Sequence, residues 1–298
     1  MRPVRTASAE RSGRPARPEP PAPAADHPVS RPRPCGPVGP AAGRRAGWVA
    51  VSALVLLAAL TLWVIRASGH LLPAEASLHS WSVAHRPAPA AAAARALTDT
   101  GTGVIPYAML LLAGMYAGRA GRQRCTIALA LMACLGAGQA LRYVAMSLVA
   151  RPRPPVGEWA AHASGWSFPS GHTTTAAMTA ALTIAALCLG HRGTSRLAVT
   201  LIGLWGLSVG LTRVYLGVHW FTDVLAGWLF AIGWVCLVVW AYLRCLAARV
   251  RKEQWGGQSH SRGRGRPSVA ERDPARVAGR RLRPGARTGW GRRDTAGP

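Results

Sequence analysis

Between Phe168 and Thr175 the chain reads Phe-Pro-Ser-Gly-His-Thr-Thr-Thr, and other short segments carry the residue types that would act with it. These are Arg151-Pro152-Arg153-Pro154-Pro155 upstream, and Thr212-Arg213, His219 and Asp223 downstream. Phosphoryl transfer needs equatorial oxygens clamped and a nucleophile in line with the leaving group. Arginine suits the clamp because its fork donates two parallel hydrogen bonds and does not deprotonate. Pro169 and Gly171 impose a turn before the apolar run Thr173 to Leu189, so Ser170, Gly171 and His172 fall at a helix N-terminus. There, unpaired backbone N–H groups and the positive dipole end favour an anion. Ser170 and the N–H groups at Gly171 and His172 thus add neutral donors to the arginines.

His172, His219 and Asp223 remain for proton and covalent work. His219 and Asp223 are four residues apart, so on a helical turn they share a face. A carboxylate there accepts from one imidazole nitrogen and leaves the other as a nucleophilic lone pair. Covalent capture by His219 followed by hydrolysis is the economical mechanism, with His172 protonating the departing oxygen and later activating water.

The elements that must position these residues follow from where charge is missing. The chain has 298 residues, is 50% hydrophobic and carries a formal charge of +25. Arginine is dense before residue 47 and after Ala248, whereas the middle is a series of apolar runs. Basic ends around an apolar centre describe a membrane protein with cytoplasmic tails, and nucleic-acid binding is not expected. Only Lys252 among the 36 basic residues is lysine, in tails and loops alike, which reads as a compositional bias of the genome. The six cysteines, Cys35, Cys125, Cys134, Cys188, Cys236 and Cys245, show no paired spacing, so neither a disulfide framework nor a zinc site is indicated.

Six spans are predicted: Trp48 to Ile65, Val104 to Ala117, Cys125 to about Ala150, Thr173 to Leu189, Leu197 to about Gly217, and Val224 to Leu243. Residues 1–46 and 247–298 read as disordered basic tails around a membrane domain at 47–246. Ala74-Glu75-Ala76 resembles a signal-peptide cleavage site, but the preceding apolar run is too long for an h-region and its n-region far too long. Arg66 to Thr100 reads as a polar connection, with Ala90 to Leu97 as a short interfacial helix. His70, His79 and His85 in it lack ligand spacing and read as solvent-exposed loop histidines. With six spans, both basic tails and the short loops at Arg119–Arg124 and Arg192–Arg196 share the cytoplasmic side. The Arg151–Phe168 and Val214–Val218 connections then meet on the extracytoplasmic side. Arg153 and Arg213 lie on that side, where positive flanks are disfavoured.

Pro169-Ser170-Gly171-His172 and Arg213-x5-His219-x3-Asp223 resemble motifs two and three of the type 2 phosphatidic acid phosphatase (PAP2) superfamily, and Arg153-Pro154 resembles the end of its first motif, Lys-x6-Arg-Pro. The resemblance covers roughly Thr98 to Leu243. It implies an all-α bundle of six transmembrane helices sharing its core with the vanadium haloperoxidases, and metal-independent hydrolysis of a lipid phosphate or diphosphate. Phosphatidate, phosphatidylglycerophosphate, diacylglycerol diphosphate and undecaprenyl diphosphate are the candidate substrates it implies. By resemblance Arg153, Ser170, Gly171 and Arg213 bind phosphate, His172 is the general acid, His219 the nucleophile and Asp223 its orienting partner. No cofactor or metal is expected. The expected partners are the lipid substrate and membrane lipids.

Two departures stand out. The serine that precedes the arginine of motif three is Thr212, which keeps a hydroxyl. The first-motif lysine falls on Met146, which cannot bind phosphate. Arg142, one turn earlier on the same helical face, and Arg151 are the candidate replacements. Phosphotransfer to an acceptor other than water, and a non-catalytic protein that binds lipid phosphate, are the alternative readings.

Overall fold

The computed structural model of the chain describes residues 40–67, 73–190 and 194–264. Residues 1–39 and 265–298, which hold most of the two predicted tails, lie outside the described residues, as do His70 and Cys35. Every regular element described is helical: α1 (Pro40–Arg66), α2 (Pro73–Ala84), α3 (Ala88–Asp99), α4 (Val104–Ala117), α5 (Gly121–Val149), α6 (Gly171–Leu189), α7 (Arg196–Tyr215) and α8 (Phe221–Arg264), with a 3-10 turn at Val156–Glu158.

Five of these helices, α1, α5, α6, α7 and α8, are each long and apolar enough to cross a bilayer. The second predicted span needs correction. At 14 residues α4 is about 21 Å long, short of a hydrocarbon core of roughly 30 Å. It reaches spanning length only together with α3, from which it departs by 51° across a break at Thr100–Gly103. The sixth span is therefore a bent pair, and the stretch expected to be a polar connection is mostly helical. The last helix also runs past Arg244, where the apolar run ends, to Arg264.

The bundle is arranged around α6, which packs against α4, α5, α7 and α8. Its middle is buried on nearly every side, with Met178 and Leu182 meeting Leu110, Leu135, Phe230 and Val235. Threonines within it turn their hydroxyls onto their own helix: Thr174 Oγ1 donates to the Ser170 carbonyl at 2.7 Å and Thr179 Oγ1 to that of Thr175 at 2.8 Å. That satisfies polar groups where no water competes. The outer helices turn their apolar residues away from the bundle, as Trp48, Leu112, Leu148 and Leu197 show, each more than half exposed. Lipid, not protein, is the natural partner of such faces.

Small residues fix the helix spacing at depth. A Cβ built on Gly227 of α8 would stand 3.0 Å from the Thr173 side chain of α6, and one on Gly114 of α4 would meet the Ala128 backbone at 2.5 Å. The first contact holds the starts of α6 and α8 together. The ends of α5 and α7 arrive at the same end of the bundle. Helix α5 closes on Ala150 in the left-handed region (φ 46°), ahead of an Arg-Pro step that disfavours further helix. Helix α7 closes on Gly217 (φ 73°). The two long connections meet there as well, the Ala160 N–H donating to the Leu216 carbonyl at 2.9 Å.

Candidate active site

All the residues singled out by type and spacing lie at this one end of the bundle. The turn after α7 carries His219, which is 2% exposed, and Asp223, fully buried, stands in the first turn of α8. Asp223 Oδ2 accepts from the Trp220 N–H at 2.9 Å and from the Ser167 hydroxyl. His219 Nδ1 lies 3.3 Å from the same oxygen and 3.4 Å from Ser167 Oγ. On the far side of the ring, Arg153 Nη1 is 2.8 Å from His219 Nε2. A guanidinium has donors only, so Nε2 is the acceptor and carries the lone pair. Nδ1 is then the N–H, shared between Asp223 and Ser167.

Burial pushes the His219 imidazole down to about 4. Asp223 opposes the shift through its hydrogen bond and charge, while the Arg153 and Arg213 charges add to it. The ring is consequently neutral over most of the pH range.

Arg153 is held more completely than a flexible anion clamp would be. Its Nε donates to the Gly165 carbonyl at 2.9 Å, Nη2 to those of Ser164 and Trp166 at 2.8 and 3.1 Å, and Nη1 to that of Val218 at 2.9 Å. The N–H aimed at His219 is the fifth, so every donor of the fork has a protein partner. A group arriving beside Nε2 would share that fifth N–H and no other.

Ser170 is fully buried and joins the two key turns, its N–H donating to the Asp223 carbonyl at 3.0 Å. Its side chain does not cap α6; Oγ accepts instead from Thr173 Oγ1 at 2.9 Å. The first N–H groups of α6, at Gly171 and His172, are therefore not taken by a cap. Gly171 also admits Arg142: a Cβ there would lie 3.2 Å from Arg142 Nη1. Arg142 is 6% exposed, its Nη1 rests 3.3 Å from Met146 Sδ, and its Nε has no hydrogen-bond partner. The arginine thus reaches over the start of α6, and the methionine in the lysine position packs beneath it. Arg213 is equally sequestered at 2% exposure; Nη1 donates to Thr98 Oγ1 at 3.3 Å, and Nε is again unpartnered. His172 faces this group, with Arg213, His219, Arg153 and Arg142 the charges that act on it. Its Nε2 lies 3.4 Å from Thr102 Oγ1.

Two expectations change. Arg151 is not a substitute for the lysine, because its guanidinium bridges two buried carboxylates, Nη1 to Asp223 Oδ1 at 2.6 Å and Nη2 to Glu75 Oε2 at 3.1 Å. His79 is no solvent-exposed histidine: it is 7% exposed, with Nε2 2.6 Å from Glu158 Oε2 and its ring against Trp220. His85 is exposed as expected and stacks on Trp81. The Thr212 hydroxyl turns back to the Val209 carbonyl at 2.7 Å and does not join the site. Sequence reasoning missed Glu75, Ser167, Thr98 and Thr102, which sit in segments without a motif. Among the described residues no three of His, Cys, Asp and Glu are grouped to hold a metal ion.

Residues 127–246 match the family model described as the PAP2 superfamily. It is 31% identical over 134 residues to phosphatidylglycerophosphatase B of Bacillus subtilis (strain 168), covering 44% of this chain and 62% of that one. To phosphatidylglycerophosphatase B of Haemophilus influenzae it is 38% identical over 92 residues, 30% of this chain and 37% of the relative. The matches thus span less than two thirds of either relative. The crystal structure of a transmembrane PAP2 type phosphatidylglycerolphosphate phosphatase from Bacillus subtilis has the same fold, with a TM-score of 0.53 at 22% identity over 68% of this chain and 98% of that one. The protein is a multi-pass membrane protein of this fold.

Proposed function

We propose that the protein is an integral membrane phosphatase that hydrolyses a lipid phosphate or diphosphate at the extracytoplasmic face through a phosphohistidine on His219. The observation that carries this reading is the lone pair on His219 Nε2, fixed by Arg153 on one side and by Asp223 and Ser167 on the other. A site that only bound phosphate would have no use for a nucleophile held in one tautomer.

In the first step Nε2 attacks phosphorus and the bond to the leaving oxygen breaks, with His172 giving that oxygen a proton. The phosphoryl oxygens take donors from Arg142, Arg213, the N–H groups of Gly171 and His172, and the Arg153 N–H released as Nε2 forms its bond. Asp223 holds the imidazole ring as positive charge develops on it. In the second step water attacks the phosphohistidine, His172 accepts its proton, and inorganic phosphate leaves with Nε2 restored. The cations are supplied by arginine, so the reaction is proposed to run without a metal. Activity that is lost on chelation and restored by magnesium would contradict that part.

Sidedness rests on the basic segments. Arg119, Arg122 and Arg124, and the start of α1 with Arg44 and Arg45, lie at the bundle end opposite His219, which the positive-inside tendency assigns to the cytoplasm. Because two relatives bear the name phosphatidylglycerophosphatase B, phosphatidylglycerophosphate is the first substrate to test, beside phosphatidate and a polyprenyl diphosphate. The test is phosphate release from these lipids by detergent-purified protein. The reading requires that His219→Ala abolish release; equal rates in wild type and variant would defeat it.

A further inference from the structure

Glu75 and Arg151 take no part in the chemical steps just described, yet they form a buried, fully bonded ion pair beside them. Glu75 of α2 is 4% exposed, in a protein where an unpaired buried carboxylate would be costly. Its Oε1 accepts from the Thr222 N–H at 3.0 Å and from the Thr222 hydroxyl, and its Oε2 accepts from Arg151 Nη2 at 3.1 Å. Thr222 immediately precedes Asp223 in the first turn of α8. A carboxylate 147 residues away in sequence therefore receives an otherwise unpaired N–H of that turn, in the manner of a helix cap. Arg151 completes the line, with Nη1 2.6 Å from both Thr222 Oγ1 and Asp223 Oδ1.

The four groups make an ordered chain of charge: Glu75 negative, Arg151 positive, Asp223 negative, then the His219 ring. Arg151 alone would neutralise Asp223 and compete with the imidazole for it. With Glu75 on its other side, the guanidinium is already compensated, and the three ions together leave one negative charge beside His219. The other charged or titratable groups facing that ring are Arg153 from the connection after α5, Arg213 from α7 and His172 from α6. On α2, His79 lies beyond Trp220 and is paired with Glu158. All the nearby fixed cations oppose positive charge on the ring, so the balance supplied by Glu75 is not duplicated elsewhere.

We propose that Glu75 and Arg151 are positioning residues for the reaction, fixing through Asp223 both the orientation of His219 and the negative charge it experiences. This rests on the reading of His219 as nucleophile. Removing Glu75 leaves Arg151 to neutralise Asp223, so the ring loses stabilisation when phosphorus bonds to Nε2. Removing Arg151 has the opposite electrostatic sign, because two carboxylates then face the ring.

The experiment compares Glu75→Gln, Arg151→Gln and the double variant as full-length protein in detergent. Glu75→Gln retains a carbonyl for the Thr222 N–H while deleting the charge. Two readouts are taken: lipid phosphate turnover, and the titration midpoint of His219 followed by deuterium exchange at its imidazole Cε1 with mass spectrometry. Glu75→Gln is expected to lower kcat about tenfold with KM within a factor of two, and to lower the His219 midpoint. Arg151→Gln is expected to raise the midpoint, and Glu75→Gln is expected to cost no further activity in the Arg151→Gln background. Independent, multiplicative losses of kcat, or midpoints unmoved in both single variants, would overturn the proposal. Should Glu75→Gln fail to fold, Arg151→Gln decides alone, since a midpoint that does not rise contradicts the charge chain. The exchange readout needs no turnover, so a protein that proves not to be a phosphatase would still report on the link between Glu75 and His219.

Discussion

Arg153 Nη1 stands 2.8 Å from His219 Nε2, and the same guanidinium binds four backbone carbonyls between Ser164 and Val218. One side chain thus ties the connection after α5 to the turn after α7, and sets which imidazole nitrogen is free to react. Lysine at this position would keep the charge, but its three donors on a single nitrogen cannot span those carbonyls. Arg153→Lys is therefore expected to lower kcat/KM by about a hundredfold or more and, through the buried Val218 carbonyl alone, to destabilise the protein by about 1–3 kcal/mol if that carbonyl is left unpaired. Kinetics and thermal unfolding of the purified variant check this; a variant with native stability and a change in KM alone would show that Arg153 is a simple anion contact.

The depressed imidazole sets the acid side of the pH profile. On the proposed mechanism His219 must be unprotonated to attack, and burial holds its value near 4, opposed by Asp223 and aided by Arg153 and Arg213. The nucleophile is available above that pH and lost as pH falls through it. The acid limb of kcat/KM, corrected for ionisation of the substrate phosphate, is expected near pH 4 and not near the ordinary histidine value of about 6.5. A profile that keeps its activity as pH falls through about 4 would contradict the assignment of His219 as the nucleophile.

Arg142 stands over Gly171 with Met146, the residue that falls on the first-motif lysine by resemblance, against it. Arg142→Ala is expected to reduce kcat/KM by about ten- to a hundredfold, in keeping with the loss of a charge-assisted hydrogen bond. Lysine introduced as Met146→Lys in that background should restore part of the loss. Steady-state kinetics on the two variants decide it; unchanged turnover in Arg142→Ala would remove Arg142 from the site.

How far the sequence reveals this molecule can be judged residue by residue. The spans α5 to α8 are legible because each holds a long apolar run, interrupted only by Arg142 in α5 and Arg213 near the end of α7. The grouping of Ser170, His172, Arg213, His219 and Asp223 is legible because their spacing places all of them at helix ends facing one side. What is not legible lies in residues 73–103. There, alanine, serine and proline give no clear apolar period, so α2 looks like a connection, Ala90 to Leu97 of α3 reads only as a short interfacial helix, and the sequence does not reveal that α3 joins α4 across a 51° bend to complete the sixth span. Glu75 and Arg151 are 76 residues apart and His79 and Glu158 are 79 apart. A pairing of that kind exists only once the helices are packed, which is why a buried His79 reads as a loop histidine and Arg151 as a spare phosphate ligand. Thr98 and Thr102 are in the same position, as hydroxyls whose partners, Arg213 and His172, belong to other helices.

The most direct test of the account is chemical. Purified protein is mixed with lipid phosphate labelled with radioactive phosphorus, quenched in base within milliseconds to seconds, digested, and its labelled peptide sequenced. The account predicts acid-labile label on His219, transient in the wild type, absent in His219→Ala, and longer-lived in His172→Ala, where water is no longer activated. Turnover that persists in His219→Ala, or covalent label carried by another residue, would contradict it.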